Sequence, residues 1–99
     1  MERGSALLID KRRLIDYLSK RFGKKIASVF EKVRREDFVI EEYKMRAYDD
    51  NALPIMSGQT ISQPSTIAFM LEWLELEKGQ KILEIGAGSG YNAALISCI

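Results

Sequence analysis

The sequence predicts an α/β fold that has a helical N-terminal subdomain and contains only the beginning of a parallel sheet. Three observations lead to this prediction. Apolar residues over 7–33 recur at helical spacing, a short apolar run over 81–85 has the composition of a buried strand, and closely spaced glycines follow that run directly. Because a strand and its crossover take about 30 residues, 99 residues are too few for a complete doubly wound sheet, so we expect an incomplete fold.

The first third of the chain predicts two amphipathic helices. In the first, expected over 7–22, apolar residues at helical spacing are separated by charged residues, and Gly23 is placed to end the helix. In the second, the apolar residues lie at i, i+3, i+4 and i+7, namely Ile26, Val29, Phe30 and Val33. Both patterns predict helices that turn an apolar face toward the core.

Residues 34–51 have no clear period, and single apolar or aromatic residues alternate with charged ones. We expect Phe38, Val39, Tyr43 and Tyr48 to hold a loop or a short helical turn on the domain, because aromatic residues in irregular segments usually serve packing. The alternative is that these residues form the walls of a peptide-binding cleft.

The polar segment over 53–64 predicts a surface loop that leads into a third helix. Pro64 suits the first turn of that helix, where its missing N–H would have no partner, and Ser62 stands where an N-cap residue is expected. The predicted apolar face of this helix consists of Ile67, Met70, Leu71 and Leu74, flanked by Trp73 and Leu76.

Composition limits the classes of function. The net charge is only +1 and apolar runs are short, which argues against a nucleic-acid partner and against a membrane span. The absence of histidine excludes Ser-His-Asp catalysis and histidine-containing metal sites, and we expect no metal. Cys98 has no second cysteine to pair with, which fits a reducing compartment, so we expect a cytoplasmic protein.

The candidate cofactor site is the glycine-rich segment after the predicted strand. Gly86, Gly88 and Gly90 give the pattern G-x-G-x-G, and Glu84 stands two positions before the first glycine. Glycines let the backbone turn sharply without a Cβ in the way, so a nucleotide-like ligand can lie against the main chain. The third glycine comes one residue too early for the dinucleotide fingerprint, which disfavours a nicotinamide-dependent oxidoreductase. A glycine-rich turn without any ligand is the other interpretation.

The pattern E-x-G-x-G-x-G resembles the first motif of the Rossmann-like class I methyltransferases that use S-adenosyl-L-methionine. Four segments together, 47–50, 53–55, 58–64 and 83–94, resemble the protein-L-isoaspartate O-methyltransferase family. The stretch Gly-Gln-Thr-Ile-Ser-Gln-Pro over 58–64 is the most diagnostic of them. The sequence departs from the commoner family residues at Arg34, at 56–57 and at Ala87.

This resemblance implies a protein-repair enzyme. It implies methyl transfer from S-adenosyl-L-methionine to the free α-carboxyl of isoaspartyl residues in damaged proteins or peptides, which are the expected partners. Ser62 is the counterpart of the family's active-site serine and is the catalytic candidate. The cofactor-binding candidates are Gln59, Thr60 and Ile61 beside the cofactor, and Glu84, Gly86, Gly88 and Ser89 in the first cofactor motif. The sequence leaves the oligomeric state open.

A histidine-free chain can carry out this reaction. An isoaspartyl carboxylate is ionised at pH 7, because carboxyl groups titrate near pH 4, so it attacks the methyl group without a general base. We therefore expect Ser62 to position the substrate or close the pocket by hydrogen bonding, and Glu84 to orient the glycine loop or the cofactor.

The sequence divides into two predicted regions. Residues 1–62 form the helical and substrate-side region, and residues 63–99 form the start of the cofactor-binding domain. The acidic residue that usually binds the cofactor ribose, about 20 residues beyond the glycine loop, falls after the last residue of this sequence. We therefore expect weak cofactor binding. The alternatives are an inactive fragment that serves as a binding module and a class I methyltransferase with another substrate.

Overall fold

The computed structural model describes residues 3–55, 58–75, 79–80 and 90–99, and the part described is mostly helical. The helices and strands follow the chain in this order: α1 (Arg3–Phe22), α2 (Lys24–Lys32), a first 3-10 helix (Arg35–Phe38), a second 3-10 helix (Glu41–Arg46), β1 (Leu53–Pro54), β2 (Thr60–Ile61), α3 (Pro64–Leu74) and α4 (Tyr91–Ser97).

Helices α1 and α2 both turn an apolar face toward the core, as predicted, and they pack against each other. Gly23 separates them and has a φ of 93°, a left-handed value that glycine adopts without a steric penalty. Helix α1 begins at Arg3, four residues before the predicted start at Leu7. The extra turn, Arg-Gly-Ser-Ala, contributes almost no apolar period, so spacing alone does not reveal it.

The segment between α2 and β1 is held on the core by its apolar and aromatic residues, as predicted. Val39 and Tyr48 are buried, and Phe38 and Tyr43 are half-buried against the main cluster. The segment itself consists of the two 3-10 helices and turns. The alternative role of these residues as cleft walls stays a prediction.

The polar segment over 53–64 contains a short hairpin, so the prediction of a plain surface loop was incomplete. Strands β1 and β2 pair antiparallel, with Leu53 opposite Ile61 and Pro54 opposite Thr60. Leu53 and Ile61 are 1% and 3% exposed and fix the hairpin on the core. A strand of two residues is too short to show an alternating pattern, which explains why the sequence did not reveal it.

Helix α3 buries a different stripe from the one predicted. Its buried residues are Pro64, Ser65, Ile67, Ala68 and Leu71. The prediction was correct for Ile67 and Leu71 but wrong for Met70 and Leu74, which are 51% and 56% exposed. The helix is apolar on most sides, so two overlapping stripes have helical spacing, and only the packing of α3 on α1 and α2 selects between them. Leu76 lies outside the described residues.

One buried cluster joins the described elements, from Leu14 and Leu18 in α1 to Leu95 in α4. It includes residues on both sides of the predicted boundary between 62 and 63, and that boundary stays a prediction. The predicted parallel strand over 81–85 falls outside the described residues. Within the described residues, the sheet consists of the β1–β2 pair. None of the described helices combines the length and apolar character that a membrane span needs.

Candidate active site around Ser62

Ser62 lies between strand β2 and helix α3 and is exposed. It was predicted to cap α3, and this is wrong: the N-cap position belongs to Gln63, whose side chain makes no capping hydrogen bond. Because the helix begins at Pro64, Ser62 stands one residue outside the N-cap position. The exposed serine is therefore left for a role other than helix capping.

Asp50 provides the cap that was assigned to Ser62. Its Oδ1 accepts a hydrogen bond from the backbone N–H of Ser65 at 2.8 Å, and its Oδ2 accepts one from Nε2 of Gln63 at 3.2 Å. The carboxylate satisfies a backbone donor in the first turn of α3 and places negative charge at the positive end of the helix dipole. Sequence reasoning missed this role because Asp50 is 15 residues from Ser65, beyond any local capping pattern.

Arg35 holds the backbone of Ser62 from the core side. The residue is 0% exposed, and its Nη2 donates hydrogen bonds to the carbonyl oxygens of Ser62 at 2.9 Å and of Asn51 at 3.3 Å. Its Nε and Nη1 are buried and have no hydrogen-bond partner among the described residues. Sequence reasoning missed Arg35 because an arginine in the charged run 34–37 looks like part of a solvated surface.

Tyr91 lies under the guanidinium of Arg35 and connects it to the start of helix α4. The guanidinium carbon is 5.0 Å from the centroid of the Tyr91 ring, and the ring also packs at 5.4 Å from that of Phe38. Tyr91 follows Gly90, the third glycine of the motif, which has a left-handed φ of 84°. Arg35 thus contacts both the Ser62 segment and the first residue of the helix after the glycines.

Burial dominates the electrostatics of this pair. Burial lowers the pKa of Arg35, while the neighbouring Tyr91 acts in the opposite direction, and a guanidinium remains charged in proteins. Burial also raises the pKa of Tyr91 to about 12, against the effect of the nearby positive charge of Arg35. At neutral pH the pair is therefore a buried cation on a neutral aromatic ring, which is an attractive arrangement.

A second tyrosine fixes the backbone of Arg35 itself. The hydroxyl of Tyr48 donates a hydrogen bond to Oε1 of Glu36 and accepts one from the backbone N–H of Arg35 at 3.2 Å. Burial, together with the hydrogen bond and charge of Glu36, raises the pKa of Tyr48. The first 3-10 helix is thereby attached to the segment that leads toward Asp50.

The predicted cofactor residues are only partly described. Gln59 and Thr60 are exposed, whereas the side chain of Ile61 is in the core, so only the Ile61 backbone is available to a ligand. Gly58 and Gly90 have φ values of 70° and 84°, and a Cβ at either would meet nothing within 4 Å, so a ligand can approach the main chain at both. To that extent the described residues fit a bound cofactor. Glu84, Gly86, Gly88 and Ser89 lie outside the described residues.

Comparison with known proteins agrees with the resemblance in the motifs. The family model for protein-L-isoaspartate(D-aspartate) O-methyltransferase matches residues 9–99. The protein-L-isoaspartate O-methyltransferase of Ignicoccus hospitalis is 51% identical over 74 residues, which are 75% of this chain and 35% of the relative. The protein of that name from Petrotoga mobilis is 46% identical over 91 residues, 89% of this chain and 43% of the relative. That from Methanothermobacter thermautotrophicus is 47% identical over 94 residues, 92% of this chain and 43% of the relative.

These alignments cover between 35% and 43% of the relatives' own length. Within the chain the match extends from α1 through the hairpin that precedes Ser62 to the end of α4. The chain therefore belongs to the protein-L-isoaspartate(D-aspartate) O-methyltransferase family.

Proposed function

We propose that this chain takes part in methyl transfer from S-adenosyl-L-methionine to the free α-carboxyl of L-isoaspartyl residues in damaged proteins, which is a repair reaction. The observation that carries the proposal is the family match over residues 9–99. The match includes Ser62 and the segment before it, which resemble the family's active site.

The chemistry suits a chain without histidine. S-adenosyl-L-methionine, when bound, supplies a sulfonium methyl group, which a carboxylate ionised at pH 7 attacks directly. The chain's own residues then have to place the carboxylate in line with the methyl group and exclude water. Ser62, exposed at the end of the hairpin, orients the carboxylate by donating a hydrogen bond from its hydroxyl.

The remaining predicted residues are assigned to the cofactor. Gln59 and Thr60 lie beside it, with Ile61 contributing its backbone, and the glycine-rich segment binds it through Glu84, Gly86, Gly88 and Ser89. In this proposal the fold is of the Rossmann-like class I methyltransferase type. Residues 1–62 form the helical and substrate-side region, and residues 63–99 begin the cofactor-binding domain.

The proposal is tested by radiolabelled methyl transfer. The chain is assayed with labelled S-adenosyl-L-methionine and an isoaspartyl peptide, in parallel with a chimera in which it replaces the aligned segment of a full-length relative. The matched substrate control is the same peptide with a normal aspartyl residue. We expect base-labile label on the isoaspartyl peptide and none on the aspartyl peptide. If the chain alone binds the cofactor too weakly, we expect this label from the chimera.

Four results would contradict the proposal. Equal labelling of the two peptides, or no labelling by either protein, would exclude isoaspartyl methylation. Labelling of an RNA substrate instead would favour another class I methyltransferase. Binding of the isoaspartyl peptide without transfer by either protein would favour a binding module.

A further inference from the structure

We infer that Arg35 is a positioning residue, whose buried guanidinium fixes the Ser62 segment relative to the start of α4 and thereby sets where Ser62 meets an isoaspartyl substrate. The catalytic part of this inference rests on the proposed function. The structural part, that Arg35 fixes the segment, is tested without any activity.

The two hydrogen bonds of Arg35 close the base of the β1–β2 hairpin. Asn51 stands two residues before β1 and Ser62 directly follows β2, and Nη2 donates to the carbonyl oxygens of both. The ladder between the strands pairs Leu53 with Ile61 and Pro54 with Thr60, and beyond it the backbone N–H of Ile55 donates a hydrogen bond to the carbonyl oxygen of Gln59 at 2.9 Å. A hairpin this short is marginal by itself, so a charged donor that joins its two ends stabilises it in addition to the burial of Leu53 and Ile61.

Because Arg35 is completely buried, its charge must be stabilised by the contacts around it. A fully buried guanidinium is costly unless it is hydrogen-bonded, and here two of its nitrogens have no partner among the described residues. The contacts that compensate are the two carbonyl oxygens and the face of the Tyr91 ring. Loss of Arg35 therefore releases the hairpin base and the contact with α4 at once.

Ser62 lies between two fixed points. On the core side, Arg35 holds its carbonyl oxygen, and on the helix side Asp50 holds the Gln63 side chain and the Ser65 N–H. The first restraint acts on the backbone of Ser62 and the second on its neighbours, and both leave the exposed residue available to a substrate. A hydroxyl that orients a carboxylate needs a fixed backbone, since a displacement of about 1 Å costs catalysis heavily.

A merely structural role is the competing explanation, and Tyr48 provides the matched control. Tyr48 is also buried, at 5% exposure, and its hydroxyl makes hydrogen bonds to Glu36 and to the backbone of Arg35. Its hydrogen bonds do not involve the two carbonyl groups at the base of the hairpin. Tyr48→Phe therefore removes a hydrogen bond to the backbone of Arg35 but leaves both hydrogen bonds from its guanidinium in place, so it should affect the Ser62 segment less than loss of the guanidinium does.

The first experiment measures amide hydrogen exchange in the 99-residue chain with Arg35→Met, Arg35→Lys and Tyr48→Phe. Because hydrogen bonds from a charged group are lost, we expect Arg35→Met to speed exchange over residues 58–66 by about tenfold relative to α1 and α2. Arg35→Lys keeps a charged donor and is expected to recover part of the protection. Tyr48→Phe keeps both guanidinium hydrogen bonds and is expected to change the ratio between the two regions less than Arg35→Met does, and an equal change would count against the inference. A uniform increase over the whole chain, or none, would overturn the inference.

The second experiment separates KM from kcat in the chimera. Arg35→Met is expected to lower kcat for the isoaspartyl peptide by about tenfold, with little change in the KM for S-adenosyl-L-methionine, because a displaced Ser62 no longer orients the reacting carboxylate. In a Ser62→Ala background, Arg35→Met is expected to cause no further loss of kcat, since Arg35 acts through Ser62. An equal effect of Arg35→Met in both backgrounds would refute the positioning role. If the parent chimera transfers no methyl group, the proposed function fails, and hydrogen exchange alone decides whether Arg35 fixes the segment.

Discussion

The guanidinium of Arg35 lies over the ring of Tyr91, with the guanidinium carbon 5.0 Å from the ring centroid. Both residues are almost completely buried, at 0% and 2% exposure. The contact joins two parts of the sequence that are distant from each other, the start of the first 3-10 helix and the start of α4. The same guanidinium also binds the backbone of Ser62, so the stability of this pair and the geometry of the candidate site are coupled.

Tyr91→Leu is expected to destabilise the protein by about 2 kcal/mol or more, because it removes a desolvated cation–π contact and aromatic packing. Tyr91→Phe keeps the ring and is expected to cost less. The free energy of unfolding, measured by chemical denaturation, checks both. Trp73→Leu is the control, since Trp73 is 76% exposed and its replacement should stay within about 0.5 kcal/mol. Equal stability of Tyr91→Leu and the parent would show that the contact contributes nothing.

Alkaline pH is expected to destabilise the protein through Tyr91. Burial raises the pKa of Tyr91 to about 12 in the folded protein, above its ordinary value of 10.0, so between these values the unfolded chain releases a proton that the folded protein keeps. The contribution of protonated Tyr91 to the free energy of unfolding is fully present below pH 10 and falls as pH rises toward 12. The total loss is about 2 to 3 kcal/mol at most.

The measurement compares the pH dependence of unfolding in the parent and in Tyr91→Phe. The parent is expected to lose more stability than Tyr91→Phe between pH 10 and 12. Trp73→Leu, which changes an exposed side chain that does not titrate, is the control and should follow the parent. Parallel curves for the parent and Tyr91→Phe would contradict the assignment.

Sequence reasoning predicted the structures that depend on local spacing. The α1 and α2 helices and the glycine that separates them follow from apolar residues and a turn residue within a few positions. The family resemblance in the motif around Ser62 was likewise contained in one continuous stretch. The exposure of Ser62 could not be predicted from the spacing of residues, and its assignment as a helix cap did not predict it either.

The contacts that shape the candidate site were not predictable in this way. Arg35 is 27 residues from Ser62, and Asp50 is 15 residues from Ser65, so neither pair produces a periodic signal. The buried face of α3 was also misjudged at Met70, because a helix that is apolar on most sides fits more than one stripe. In each case a tertiary contact decided between local arrangements that the sequence made equally acceptable.

Asp50→Ala is expected to destabilise the protein by about 1 kcal/mol, because it leaves the Ser65 N–H without its cap and removes a negative charge from the start of α3. Asp50→Asn keeps an oxygen acceptor and should lose less. The adjacent Asp49→Ala is the control, since its ion pair with Arg46 is largely exposed and should contribute little. Helix content and the free energy of unfolding measure the effect. A larger loss from Asp49→Ala than from Asp50→Ala would exclude the capping role.

Ser62→Ala is expected to separate stability from function. Because Ser62 is exposed and does not cap α3, the change in the free energy of unfolding should stay within about 0.5 kcal/mol. Methyl transfer to the isoaspartyl peptide in the chimera should fall by about tenfold or more, since a hydrogen bond that orients the reacting carboxylate is lost. Thr66→Ala, an exposed hydroxyl in the first turn of α3, is the matched control and should keep full activity. Full turnover in Ser62→Ala would show that the serine does not orient the substrate. A loss of turnover accompanied by an equal loss in Thr66→Ala would instead place the effect on the helix, whose position Asp50 sets.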